Sequence, residues 1–507
     1  PVARRVRPSR SAAAGGARSG HGRPPPGEEP AGAMVGGIIL ATALVALGVL
    51  FARRRRRHGR SGRGAAPLEI GIFHPYCNAG GGGERVLWFA VQAILSAAPT
   101  AKLCIYARRS SGEPAAILGR ASERFGILEL DGSRISFVFL ATEKLLDAET
   151  FPRLTLLGQS LGSMVVGLEA LWRGGCPDVF FDTMGYAFTY PLAWAAGATV
   201  ASYTHYPTIS TDMLSRVYER RPAYNNDELV SGSVVNSRLK YAYYVVFCAA
   251  YRVAGRFAQV VMVNSNWTRG HIEALWGTSA RVVFPPCDTR EFSQAATEPK
   301  RRVIVSLGQF RPEKDHRLQI QALAALKVQL DAAGVEVPAL EMLGSCRGAA
   351  DEQRVAELRA FAAQAGVGSL VHFRLNEPFS QVKTALGSAL LGVHTMWNEH
   401  FGIAPVEMMA AGVVLVAHCS GGPKLDIVAD GETGFLASSA AEYAAAFARV
   451  LALFDAGGSG SAQLARLRAA ALASTARFSQ DQFAAQLLAA LAPLLPPPPP
   501  PLPPPPL

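Results

Sequence analysis

The chain has no two cysteines spaced as Cys-x-x-Cys, which excludes the common zinc-ribbon and dithiol redox frameworks. Its seven cysteines, Cys77, Cys104, Cys176, Cys248, Cys287, Cys346 and Cys419, are scattered and odd in number, as a reducing compartment allows. No Asp-x-Asp pair is present, so no metal held by such a pair against a diphosphate is expected. The Gly-x-Gly-x-x-Gly turn of dehydrogenases is missing, and so is the Gly-Lys-Ser/Thr of a P-loop. Basic residues are not interleaved with aromatics on what would be a folded face, which argues against a nucleic-acid partner.

What is present is length, apolar content and a local block of charge. The 507 residues suit two α/β domains plus tails, and 49% apolar residues can fill a sizeable core. The net charge of +11 owes much to Arg53 to Arg57, Arg60 and Arg63. This cluster directly follows Met34 to Ala52, an uncharged run about long enough to span a bilayer as a helix. A cleaved signal peptide carries its charge before the apolar run, so an uncleaved transmembrane helix is expected. The positive-inside rule then places the body of the chain in the cytosol. Met34 is the expected natural start, and residues 1–33 read as a low-complexity disordered head. On this topology the sequon Asn266-Trp267-Thr268 carries no glycan.

Past the basic linker at 53–66, short apolar runs alternate with helical stretches. Strands are expected at 68–73, 102–107, 135–140, 179–182, 199–203 and 259–264. The pattern restarts at 302–307, 339–343, 370–373, 390–394 and 413–418. The expected architecture is two Rossmann-like α/β domains, 67–288 and 289–492, joined near Pro285-Pro286 and facing a cleft. A Pro-rich tail, 493–507, should be extended and disordered. The amphipathic stretch Gln480 to Ala492 is able to pack on either domain. Three first-domain segments, 154–171, 186–203 and 241–251, are unusually apolar. They read either as buried helices or as a face lying against the bilayer.

Four segments carry chemistry. Asn78 to Arg85 holds four consecutive glycines between the first strand and the next helix. Gly82 and Gly83 there let backbone approach a phosphate at a helix N-terminus, although a tight turn alone gives the same pattern. Gly308 to His316 follows the first strand of the second domain. Arg311 and Lys314 thus stand at a strand's carboxyl end, where open α/β sheets bind ligands, and two cations suit a leaving diphosphate. Glu399 to Glu407 (EHFGIAPVE) places two carboxylates eight positions apart, roughly 80° out of line on one continuous helix. Gly402 and Pro405 instead start the helix between them, leaving Glu399 on a loop and Glu407 in the first turns. Both carboxylates then suit sugar hydroxyls. His205, in Tyr-Thr-His-Tyr-Pro, ends a first-domain strand and reads either as a sugar contact or as a structural histidine.

Together the Glu-x7-Glu segment, the glycine-rich loop and the Arg/Lys pair resemble the retaining GT-B transferases of glycosyltransferase family 4. Longer strings, among them FHPYCNAGGGGERVLW, LLGQSLGSM, YTHYPTIS, VNSNWT, GQFRPEKDH, MWNEHFGI and GGPKLDIV, are similar to the α-1,2-mannosyltransferase branch of asparagine-linked glycosylation at the endoplasmic reticulum. The resemblance runs from about Pro67 to Ala490 and leaves out the Arg-rich head and the polyproline tail.

The resemblance implies GDP-mannose as donor and no other cofactor. It implies a dolichol-diphosphate oligosaccharide as acceptor, extended from three mannoses to five on the cytosolic face of the membrane. The lipid bilayer and other transferases of the pathway are the implied partners. Carried over, Glu407 holds the ribose hydroxyls, Glu399 the mannose ring, and Arg311 with Lys314 the diphosphate. Gly82 and Gly83 close over the phosphates, Phe401, Gly402 and Ile403 lie against the donor, and His205 touches the transferred sugar. Other readings stay open at this point: a family 4 transferase with another donor or acceptor, a nucleotide-sugar epimerase, or an anchored scaffold without activity.

Overall fold

The computed structural model describes residues 67–78, 80–127, 130–210, 213 and 234–496, together with Gly48. The head, the expected membrane span, the basic linker and most of the Pro-rich tail lie outside the described residues. Among those described, no helix is long and apolar enough to cross a membrane.

The described strands form two parallel sheets. The first contains β1 (Glu69–Phe73), β2 (Lys102–Arg108), β3 (Ile135–Leu140), β4 (Val179–Asp182), β5 (Thr199–Thr204), β6 (Val260–Val263) and β7 (Arg281–Val282), in the order β3-β2-β1-β4-β5-β6-β7. The second contains β8 (Arg301–Leu307), β9 (Ala339–Gly344), β10 (Val371–Leu375), β11 (Ala389–His394), β12 (Val414–His418) and β13 (Phe435–Ala437), in the order β10-β9-β8-β11-β12-β13. The expected strands are present, with ends shifted by a residue or two. Two strands not expected are β7 and β13, of two and three residues, too short to leave an apolar run.

Each sheet is covered on both faces, as parallel sheets require. Ile70 and Ile72 of β1 point into one core with Val86, Leu87 and Phe89, whereas Phe73 joins Phe180 and Val166 in another. The second sheet divides likewise, Ile304 and Met342 to one side, Val305 and Leu343 to the other. A fully buried side chain of this size contributes about 1.5–3 kcal/mol, so four such cores hold the strand ends rigidly.

The helices that matter for the site are α1 (Gly82–Ala97), α2 (Pro114–Phe125), α3 (Thr155–Gly174), α4 (Val234–Gly255), α5 (Asn266–Trp276), α6 (His316–Ala332), α7 (Ile403–Ala410) and α8 (Gln480–Leu491). The amphipathic segment that forms α8 crosses back to the first sheet: Phe483 and Leu487 are buried in the same core as α1. The two halves also meet at Asn266, whose backbone N–H donates to Asp426 Oδ2 at 2.9 Å while its carboxamide nitrogen donates to the other carboxylate oxygen. The nitrogen to which a sequon glycan would attach is therefore engaged by Asp426.

Candidate active site

In a doubly wound sheet, ligands bind beyond the carboxyl ends of strands where the order reverses. Here the reversals fall between β1 and β4 and between β8 and β11. Beyond those ends lie the glycine-rich turn after β1, Thr183 after β4, the 308–316 loop after β8 and the 395–402 loop after β11. His205 follows the adjacent β5.

The second-domain loops are locked together. Thr395 Oγ1 donates within reach of both the Lys314 carbonyl (2.8 Å) and the Asp315 carbonyl (3.0 Å), and accepts from Gln319 of α6 at 3.0 Å. This holds Lys314 beside Glu399: Lys314 Nζ to Glu399 Oε2 is 2.5 Å, and His394 Nε2 lies 3.2 Å from the same oxygen. Burial alone pushes the Glu399 carboxyl up. The Lys314 charge, with the His394 ring close by, outweighs it and holds the group well below the usual carboxylate range. Glu399 is thus a fixed anion with a fixed cation at its side.

The helix carrying Glu407 begins at Ile403, after Gly402 at φ +111°. That conformation is open to glycine at little cost, and it lets the chain turn from the Glu399 loop into α7. Glu407 is mostly buried, and burial raises its carboxyl to about 7; Arg85 opposes the rise and Asp288 adds to it. Two neighbouring carboxyls therefore have opposite character. Glu399 stays ionised throughout the physiological range, whereas Glu407 titrates near neutrality.

The glycine-rich turn reaches the second domain directly. A Cβ built on Gly82 would stand 2.9 Å from Ile403 Cδ1, and one on Gly83 would stand 3.6 Å from His205 Nε2. The turn is anchored at both ends: the Gly81 N–H donates to Glu84 Oε2 at 2.7 Å, and Arg124 of α2 donates to the Gly80 carbonyl at 2.8 Å. His205 Nε2 contacts the Thr183 carbonyl at 3.1 Å, and burial lowers its pKa to about 4. At neutral pH it is an uncharged ring whose Nε2–H donates to that carbonyl, leaving Nδ1 as an acceptor. Beneath it His74, which no sequence motif singles out, sits 2.7 Å from Thr183 Oγ1.

Two cavities meet at Gly82, Ile403 and Ala404. One, about 670 Å³, is lined by Gly83, His205, Lys314, Glu399, Phe401 and Gly402, with Gln159, Ser160 and Ser163 of α3 on its far wall. The other, about 770 Å³, is lined by Arg85, Asp288, Gly308, Gln309, Gly344 and Glu407. The fold thus brings nine of the ten predicted site residues to one cleft, Glu399 and Glu407 on opposite sides of the meeting point. Arg311 lines neither cavity. Its side chain is 54% exposed and lies 4.0 Å from Glu313.

Three further residues, Arg85, Tyr206 and His400, face the cleft. Arg85 on α1 pairs with Asp288 and points at Glu407. Tyr206 stacks on His400 with ring centroids 4.2 Å apart, and Trp267 of α5 stacks on the same ring at 5.2 Å. Arg85 closes the glycine-rich motif in the sequence but is given no role there, and the aromatic stack joins segments remote in sequence.

Two carboxylates, a lysine and a glycine-rich turn at the facing ends of two doubly wound sheets define a GT-B glycosyltransferase. The fold matches solved structures of that kind; the sucrose-phosphate synthase of Thermosynechococcus elongatus superimposes with a TM-score of 0.58 at 17% identity, over 84% of this chain and 99% of that one. Residues 67–276 match the family described as "ALG11 mannosyltransferase N-terminus", and residues 288–456 match "Glycosyl transferases group 1". The GDP-Man:Man(3)GlcNAc(2)-PP-Dol alpha-1,2-mannosyltransferase of Mus musculus is 42% identical over 92% of this chain and 95% of its own length. That of Homo sapiens is 42% identical over 90% and 93%. The chain belongs to the ALG11 mannosyltransferase family.

Proposed function

We propose that this enzyme transfers mannose from GDP-mannose to a dolichol-diphosphate oligosaccharide, adding the fourth and fifth mannoses in α-1,2 linkage with retention. The observation that carries the reading is the pair of cavities joined at Gly82 and Ile403. At about 770 and 670 Å³ one has room for a nucleoside and the other for sugars, and the relatives' names specify those two substrates. GDP-mannose is a substrate in this reading, and neither a metal nor an organic cofactor is assigned a step.

GDP lies in the Glu407 cavity, with its ribose hydroxyls donating to that carboxylate. The diphosphate lies at the junction, against the Gly82 and Gly83 backbone at the N-terminus of α1 and the Lys314 ammonium. Arg311 reaches the phosphates only by swinging in from its exposed position. The mannose sits with its hydroxyls on Glu399 and the backbone of Phe401, Gly402 and Ile403, and with His205 opposite. As the bond from mannose C1 to the phosphate oxygen breaks, positive charge builds on the ring and negative charge on the phosphate. Glu399 and Lys314 are already placed for these two charges and need not reorganise. The acceptor hydroxyl attacks C1 on the face the phosphate leaves. Its proton passes to a phosphate oxygen, so the step ends with GDP, a new glycosidic bond and no enzyme-bound sugar. A mannosyl ester trapped on Glu399 is the finding that would overturn this mechanism.

The lipid end of the acceptor requires an apolar approach. Leu154, before α3, and Leu157 and Leu161 within it are 60%, 38% and 53% exposed, and Val245 and Val246 of α4 are 46% and 70% exposed. The two helices touch, the Leu157 N–H donating to Tyr243 Oη at 3.0 Å. The opposite side of α3 lines the sugar cavity with Gln159, Ser160 and Ser163. This face lies against the bilayer in our reading, with residues 34–52 as a single-pass anchor in the endoplasmic-reticulum membrane and the catalytic domains on its cytosolic side.

The test is a transfer assay in detergent micelles, with GDP-mannose against UDP-glucose and a lipid-diphosphate trimannosyl acceptor. Extension by one or two mannoses from GDP-mannose alone is expected. Extension from UDP-glucose, or none from either donor with folded protein, overturns the substrate assignment.

A further inference from the structure

Arg85 has a geometry that the proposed chemistry leaves unused. It stands on α1 of the first domain, and its side chain is 11% exposed. Its Nη2 donates to Asp288, just after the segment that joins the two domains. Asp288 is itself held, since its other oxygen accepts from Gln480 of α8 at 2.7 Å. With one edge of the guanidinium fixed in this way, Nη1 is aimed across the cleft at Glu407 Oε1, 3.7 Å away. Buried Nη1 makes no hydrogen bond to any described residue. A buried guanidinium nitrogen without a hydrogen bond is costly, and here it stops just short of the carboxylate that is to receive the ribose.

We propose that Arg85 is a positioning residue for Glu407, holding that carboxylate charged and in place from the opposite domain, so that donor binding and closure of the cleft are coupled. The inference rests on the reading of Glu407 as the ribose ligand. The charge environment supports the direction. Glu407 is faced by Arg85 from α1, by Asp288 and the Cys287 thiol from the joining segment, and by Glu291 lining the same cavity. The same cavity also carries Glu123 and Arg124; of the groups acting on Glu407, Arg85 favours its ionisation and Asp288 opposes it. Removing Arg85 therefore drives the Glu407 carboxyl further up from about 7, into the range where it is protonated at neutral pH. A protonated carboxyl offers one acceptor oxygen fewer to a ribose diol.

The experiment measures KM for GDP-mannose from pH 6.5 to 9 in the full-length enzyme, for Arg85→Gln, Arg85→Lys and Glu407→Gln. Taking each variant relative to wild type cancels titration of the donor. For Arg85→Gln the KM ratio should be about fivefold near pH 7 and fall towards one by pH 9, because a rise of one pKa unit from about 7 cuts the ionised fraction at pH 7 from about one half to about one eleventh. Arg85→Lys should restore most of the loss and keep the thermal midpoint. Glu407→Gln should raise KM at every pH. An Arg85→Gln ratio that is the same at all pH values, as removal of a direct phosphate ligand or loosened packing would give, overturns the proposal while leaving the donor reading intact. A Glu407→Gln enzyme with unchanged KM overturns both.

Discussion

Lys314 Nζ and Glu399 Oε2 lie 2.5 Å apart, and His394 Nε2 stands 3.2 Å from the same carboxylate oxygen. The cation and the anion that we propose act on the leaving phosphate and the developing sugar cation are thus pre-assembled on two loops of one domain. Their spacing is set by Thr395, which ties the loops at the Lys314 and Asp315 carbonyls.

Lys314→Ala and Glu399→Gln should each lower kcat by roughly 10²–10³, the usual loss when one preorganised electrostatic interaction is removed. Because the two groups act as a pair, the double variant should lose far less than the product of the singles. Saturating single-turnover rates on the three variants check this, and full multiplicativity would separate their roles.

Thr395→Val keeps the shape of the side chain and removes the tie between the loops. It should leave Lys314 and Glu399 present but poorly placed, with kcat falling about tenfold or more and the fold retained. A thermal midpoint within a few degrees of wild type, measured beside the rate, separates misplacement from unfolding.

Gly82→Ala puts a methyl group against the end of Ile403, a flexible side chain and not backbone. The expected cost to stability is small, and the expected effect is on closing the cleft, seen as a higher KM for GDP-mannose. Ile403→Ala in the same chain makes room and should recover part of it. A double-mutant cycle with coupling of about 0.5–1.5 kcal/mol would establish the approach of these two residues in the working enzyme.

Much of the architecture is legible in the chain. Buried parallel strands read as apolar runs, and LEIGIF or RVIVSL between turn signals leaves little choice. Glu399 and Glu407 are legible because Gly402 and Pro405 place a helix start between them, where α7 begins. The role of Arg85 is not legible although it closes the glycine-rich motif, since an arginine after a glutamate in a first helical turn looks like solvated surface. Its meaning depends on Asp288 and Glu407, far along the chain. The same holds for α8, whose amphipathic pattern shows that one face is buried but not against which domain. Arg311 illustrates the opposite case: strand-end position suggests a phosphate ligand, and the side chain stands away from both cavities.

The apolar face of α3 and α4 gives a prediction separate from the chemistry. Leu161→Asp with Val246→Asp puts charge on two exposed positions without touching a core. With residues 1–66 removed, binding to liposomes should fall several-fold, because burying apolar surface in the bilayer is worth about 25 cal/mol per Å² and the variant buries less of it. Transfer to a short, water-soluble acceptor should be unchanged. Equal loss on both acceptors would instead point to damage at the Gln159 and Ser160 wall of the cavity.

Glu407 should show a trade between stability and binding. Its carboxyl is raised from the usual value near 4.5 to about 7, mainly by burial. A group with a raised folded-state pKa contributes its full stability below the unfolded value and loses it as pH rises through the folded one. Wild-type enzyme therefore bears the cost of a buried anion above pH 7, and Glu407→Gln does not. The variant should be more stable than wild type at pH 8, by up to about 3 kcal/mol, the rise from 4.5 to about 7 taken at 1.36 kcal/mol per pKa unit. The difference should vanish below about pH 3.5, where both side chains are neutral in both states. Added GDP should reverse the order at pH 8, since only wild type retains the charged acceptor that tight donor binding requires and gains stability by mass action. Thermal unfolding at the two pH values, with and without GDP, reads all four quantities. A variant less stable than wild type at pH 8 without GDP would mean that the Arg85 pairing outweighs the burial of Glu407.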